Sequence, residues 1–212
     1  MRRLLLGLLL ATATALSTPL LAETPANTLV VAKSIDDIVT LDPAEIYELS
    51  NSEVAVNVYD RLMGLEIGDM KTLVPKAAES YSVSEDGKTF TFKLKPNLKF
   101  HSGNPLTAED VAWSLQRVVL LNLTPAYLLQ GLGWTADNVK DMVKTADEHT
   151  LVLTLSENFA PTYVLNLMST VTSSIVDKKE ALAHEKDGDM GHEWLKSNSA
   201  GSGAYKIRPW KP

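Results

Sequence analysis

The chain has 212 residues, a formal charge of −6 and no cysteine. Without cysteine there are no disulfides, no thiolate metal sites and no cysteine nucleophile. The acidic balance argues against a nucleic-acid partner, whose phosphates call for a cationic surface, and against a role on an anionic lipid surface.

Arg2 and Arg3 precede a leucine-rich run from Leu4 to Leu10, and a softer apolar stretch leads to Leu20-Leu21-Ala22. A charged start, a short apolar middle and a small exit residue describe a secretory signal peptide over residues 1–22. Its apolar run falls short of the about 20 residues that a membrane-spanning helix needs. Cleavage after Ala22 removes two arginines and no acid, leaving a mature charge of −8. A lipid anchor would require a cysteine just after the leader, so the expected address is a Gram-negative periplasm, with the protein soluble there. About 190 mature residues suffice for one large or two modest domains with real cores.

Thr28–Lys33 is an apolar run and predicts a buried strand. Asp36, Asp37, Asp42 and Pro43 then punctuate a loop. From Glu45 the spacing of Ile46, Leu49, Val54, Val58, Leu62 and Met63 predicts a helix, ended by Gly64 and Gly68 with room for a short strand between them. Ser80–Ser84 and Thr89–Lys95 alternate on either side of Glu85-Asp86-Gly87-Lys88, which predicts a hairpin with Phe90, Phe92 and Leu94 facing the core. Pro96 stops that strand, and Leu98–Phe100 starts another short one.

Thr107 is placed to cap a helix, with Asp110 in the capping-box position and Val111, Leu115, Val118 and Val119 as its buried stripe. A second hairpin is expected from Val139–Thr145 and Thr150–Leu155. Further on, the pattern predicts a helix over Phe159–Met168, a strand over Thr170–Val176, a short helix over Lys178–Ala183 and a strand over Ala204–Pro209. Strands and helices are mixed without strict βαβ alternation, so the fold class is mixed α/β, of the α+β kind with largely antiparallel hairpins.

No chemical motif holds up. Gly131-Leu-Gly133-Trp-Thr-Ala136 fits the dinucleotide-binding pattern, but the preceding Pro125–Gln130 looks helical, where a strand is required. Ser202 in Ala200-Gly-Ser-Gly-Ala204 is a distant echo of the hydrolase elbow, with its outer glycines missing and a strand expected where a helix must follow. His101, His149, His184 and His192 have no metal-ligand spacing and are expected on surfaces or loops. Neither Asp36-Asp37 nor Asp187-Gly-Asp189 continues into a calcium loop. No cofactor is expected.

Residues 92–118, FKLKPNLKFHSGNPLTAEDVAWSLQRV, resemble the signature of family 5 of the solute-binding proteins, the peptide/nickel class that serves ABC importers. Leu41-Asp-Pro43, Val58-Tyr-Asp-Arg-Leu62 and Gly201-Ser-Gly-Ala-Tyr-Lys206 match the family in the expected order, with Ala204 in place of a usual proline and Ser102 where aspartate is commoner. The signature itself reads as scaffold, because Gly103 permits a tight turn, Pro105 fixes one dihedral and Thr107 caps the helix.

The resemblance implies a periplasmic binding protein-like fold of the three-lobed type, in which two lobes close on ligand and a third is attached to the first. Residues 23–62 would begin lobe one, 63–169 form the extra lobe with both hairpins, and 170–212 return to lobe one. The second ligand lobe is missing from this length, so the sequence is expected to be an N-terminal part. The resemblance also implies a non-enzymatic, monomeric receptor for a peptide or similar small molecule, which delivers its cargo to ABC permease subunits in the inner membrane. It places the ligand-facing part of lobe one at Tyr47, Glu48 and Leu49, just after the Asp-Pro turn, and adds Tyr127 from the extra lobe. Two other classes stay open: an exported hydrolase using Ser202, and a periplasmic chaperone or interaction module.

Overall fold

A computed structural model describes residues 24–208 of the chain. The leader over residues 1–22 lies outside the described residues, as does Pro209 at the end of the last expected strand. Of the described residues, 24–34 belong to one unit and 35–208 to another. In the first, Thr28–Lys33 has no regular secondary structure and joins no strand pairing among the described residues, so the expected buried strand is not formed. Leu29, Val30 and Val31 are 87%, 68% and 68% exposed.

In the second unit the Asp42-Pro43 turn leads into helix α1, Leu49–Val58. The helix begins later than its spacing predicts, because Glu45 and Ile46 donate their N–H groups to the Asp42 carbonyl and close a turn there, and Glu48 is extended. Leu49 therefore points into solvent, while Leu62 and Met63 are buried beyond the helix's end. Strand β1 (Met63–Glu66) occupies the expected place between the glycines and pairs antiparallel with β2 (Asp69–Pro75), which periodicity did not indicate.

The Asp-Gly hairpin forms as expected from β3 (Ala78–Val83) and β4 (Thr89–Leu94), with Tyr81 opposite Phe92. Beyond it, Leu98–Phe100 contributes only an isolated bridge between Lys99 and Pro105. Helix α2, Ala108–Leu121, starts at Thr107, whose N–H and hydroxyl both donate to the Asp110 carboxylate at 3.0 and 2.8 Å. A 3-10 turn at Thr124–Ala126 precedes two short helices, α3 (Tyr127–Gln130) and α4 (Val139–Met142). The second hairpin, β5 (Val143–Asp147) with β6 (Thr150–Thr154), is thus shorter than expected at its start.

The four-stranded sheet runs β3-β4-β6-β5, antiparallel throughout. Period-two alternation puts Phe90, Phe92, Leu94, Leu151 and Leu153 on one face, all buried, and helix α2 packs there with Val111, Leu115, Val118 and Val119. Burying each such side chain is worth about 1.5–3 kcal/mol.

Helix α5 (Pro161–Leu167) follows, with proline in its first turn. The expected strand at Thr170–Val176 is instead a 3-10 turn, Val171–Ser173, and a buried coil. Its polar Thr172, Ser173 and Ser174 are buried, and its N–H groups bond to nearby turn carbonyls and to Asp60. Helices α6 (Lys178–Ala183) and α7 (His192–Leu195) complete the described elements. Asp177 caps α6, accepting from the Glu180 N–H at 3.0 Å. Residues 204–208 are coil, and Tyr205 is exposed.

A second, smaller core gathers Ile46, Ala55, Val58, Tyr59, Val176, Ala181, Leu195 and Ala200. It draws on α1 and on the chain after the coil, whereas the large core belongs mainly to the sheet and α2.

Candidate ligand-binding site

The turn before α1 is built around Asp42, which is fully buried. Arg117 of α2 meets it with both terminal nitrogens, Nη1 to Oδ1 at 2.8 Å and Nη2 to Oδ2 at 2.7 Å. The Ala44 N–H donates to Oδ1 at 3.0 Å, and His192 Nδ1 lies 2.8 Å from Oδ2. Burial alone would raise the Asp42 pKa, but the hydrogen bonds from Arg117 and His192 outweigh it and hold the carboxyl below its ordinary value. Arg117 Nε also donates to the Met190 carbonyl at 2.9 Å.

Tyr47, Glu48 and Leu49 leave this turn on an exposed path, with Tyr47 58% and Leu49 81% exposed. Tyr127, at the start of α3, is 53% exposed. Tyr47 stands beside it, and its hydroxyl pushes the Tyr127 phenol above its ordinary value. The structure thus brings together two of the four residues singled out from sequence, one from beside the small core and one from beside the large core. Glu48 and Leu49 sit next to Tyr47 along the chain, exposed and without a burial role. A cleft of about 500 Å³ lies elsewhere, lined by His101, Asp177, Trp194, Asn198 and Lys206 among others, and none of the four residues touches it.

Residues 72–212 match the family described as bacterial extracellular solute-binding proteins, family 5 Middle. The chain belongs to that family. It is 33% identical over 194 residues to the probable D,D-dipeptide-binding periplasmic protein DdpA of Escherichia coli, covering 90% of this chain and 35% of that protein. The periplasmic oligopeptide-binding protein OppA of E. coli is 29% identical over 210 residues, covering 90% and 36%. Among solved structures, the Helicobacter pylori periplasmic binding protein DppA in complex with the peptide STSA superposes with a TM-score of 0.67 at 25% identity, covering 81% and 35%. The E. coli murein tripeptide binding protein MppA superposes with a TM-score of 0.61 at 28% identity, covering 80% and 34%. The chain spans about a third of the length of these relatives. By their names these relatives are binding proteins. The mixed α/β fold expected from sequence is that of family 5.

The family signature serves as scaffold. Gly103 turns the chain at φ +94°, and the Ser102 hydroxyl and Asn104 amide both donate to Asp177 Oδ2, at 2.6 and 2.8 Å. In the Gly201-Ser-Gly203 loop, a Cβ on Gly201 would lie 2.1 Å from the Val58 carbonyl oxygen, so only glycine allows this approach. The Ser202 hydroxyl is buried without a hydrogen-bond partner, and a serine nucleophile needs a base in hydrogen-bond reach. The glycine pattern at 131–136 is a packing feature: helix α3 precedes it, and Trp134 is fully buried with its Nε1 donating to the Thr154 carbonyl at 2.7 Å.

Sequence reasoning missed the Asp42–Arg117–His192 cluster. It treated Asp42 as loop punctuation and expected His192 on a surface or loop, whereas the His192 side chain is 14% exposed and faces Asp42. One signal was available. Arg117 stands among Leu115, Val118 and Val119 on a buried stripe, and a charge there requires an acidic partner.

Proposed function

We propose that the chain is the ligand-receiving N-terminal part of a periplasmic substrate-binding component of an ABC importer, with di- or oligopeptides or a similar small solute as cargo. The observation that carries this reading is the meeting of Tyr47 and Tyr127 on an exposed surface, in a chain of this family. The small core, with α1, α6 and α7, belongs to lobe one. The sheet and α2 belong to the extra lobe, over residues 63–169, and residues 170–212 return to lobe one. Peptide-binding relatives in the periplasm support the location and the cargo class. Export through a leader cleaved after Ala22, action as a monomer, and docking onto inner-membrane permease subunits complete the proposal.

In this reading Tyr47, Glu48, Leu49 and Tyr127 form one face of the site. An extended peptide lies along Tyr47–Leu49 as an added strand, and Glu48 meets a cationic group of the ligand. The opposite face comes from a second lobe that closes over the ligand by a hinge. The lone, unpartnered hydroxyl of Ser202 favours a receptor over a hydrolase.

Calorimetry tests the proposal. Residues 23–212 alone should show no peptide binding at micromolar concentration, because sites of this kind bury most of their ligand and each factor of ten in affinity is about 1.4 kcal/mol. The same residues joined to the second lobe of a close relative should bind, and Glu48→Ala should weaken that binding. Micromolar binding by residues 23–212 alone, abolished by Glu48→Ala, would overturn the two-faced site.

A further inference from the structure

We propose that Arg117 is the positioning residue of the segment Tyr47–Leu49: by gripping Asp42 it holds the turn from which that segment leaves. The ligand-facing role of the segment is the reading given above, and the inference rests on it. Arg117 and Asp42 are 1% and 0% exposed, and they come from different elements, α2 on one side and the turn before α1 on the other. Asp42 gathers partners at each of its acceptor oxygens. Its Oδ1 takes Arg117 Nη1 and the Ala44 N–H, its Oδ2 takes Arg117 Nη2 and faces His192, and its carbonyl takes the N–H groups of Glu45 and Ile46. Tyr47 is the next residue, so no slack separates the clamp from the ligand segment. Once freed, an extended chain covers about 3.3–3.6 Å per residue, enough within this stretch to carry the Tyr47 hydroxyl away from Tyr127.

The geometry also demands arginine. A guanidinium presents a planar fork to both carboxylate oxygens, and here its third nitrogen simultaneously reaches the Met190 carbonyl at 2.9 Å. Lysine would keep the charge as a single point and lose the fork. The change to lysine therefore separates orientation from charge, and the hydroxyl contact between Tyr47 and Tyr127 reports the outcome.

The test is a titration of the tyrosine phenols by NMR in the full chain carrying ¹³C-labelled tyrosine, with Tyr127→Phe assigning the signal. In the wild type, Tyr127 should titrate above the ordinary value of about 10. Arg117→Lys should return it to that value. Leu115→Ala, which removes packing from the same helix, should leave it raised. A raised Tyr127 in folded Arg117→Lys would overturn the proposal, and so would an equal fall in Leu115→Ala. Should Arg117→Lys fail to fold, Asp42→Asn, which keeps the side-chain shape, takes its place under the same two criteria. The titration needs no peptide, so a failed ligand assignment would show separately, as absent binding beside the expected phenol shifts.

Discussion

Tyr47 and Tyr127 face each other at the surface, although one follows the Asp42 turn and the other opens a helix beside the sheet. Tyr47→Phe should remove that neighbouring hydroxyl and let the Tyr127 phenol fall back to its ordinary value. Peptide affinity in a lobe-extended protein should also drop if the pair orients the ligand. Phenol titration and calorimetry on the same variant check the two halves of this expectation.

Phe92 lies at the centre of the sheet core, fully buried, with its ring 6.0 Å from that of Tyr81 and with Leu151 opposite it on β6. Phe92→Ala should cost about 3–5 kcal/mol, the usual range for a core aromatic. Urea denaturation measures this, and an unchanged midpoint would contradict the packing.

His192 gives stability a pH dependence. Its hydrogen bond to Asp42 raises its pKa above the ordinary 6.5 against the opposing effect of burial; Glu45 raises it further and Arg117 lowers it, while Asp189 and Glu193 stand nearby. A folded-state pKa above the unfolded one means stabilisation that is complete below about 6.5 and lost as pH rises through the folded value. Stability should therefore decline as pH rises from about 6.5 through the raised folded value, and His192→Asn should flatten that slope. Denaturant midpoints across the range decide it, and an equal slope in the variant would exclude His192 as its source.

Export should remove residues 1–22. Mass spectrometry of the periplasmic protein should find Glu23 at its start, and a cytosolic or uncleaved product would contradict the assigned address.

Much of the fold was legible because its signals are local. The Asp86-Gly87 turn between alternating runs, the stripe Val111, Leu115, Val118 and Val119, and the acid at Asp110 each act within a few residues, and each appears where its pattern places it. Runs whose strand character depends on a distant partner were not legible. Thr28–Lys33 and Thr170–Val176 have β-branched, apolar composition, yet neither joins a strand pairing among the described residues; the first stays irregular and exposed, and the second winds into a 3-10 turn. An apolar run states a preference for burial, while a strand also needs an edge to pair with.

The candidate site divides along the same line. Sequence by itself determined the family, through the ordered signature from Phe92 to Val118, and through it the choice of Tyr47, Glu48, Leu49 and Tyr127. Only the tertiary structure decided that Tyr47 meets Tyr127 and that Asp42 is clamped by an arginine 75 positions away and a histidine 150 positions away. Periodicity and turn chemistry report interactions between neighbours in the chain. A buried ion pair exists only once distant elements have packed, because the desolvation it costs is offset solely by partners that folding brings within hydrogen-bond reach.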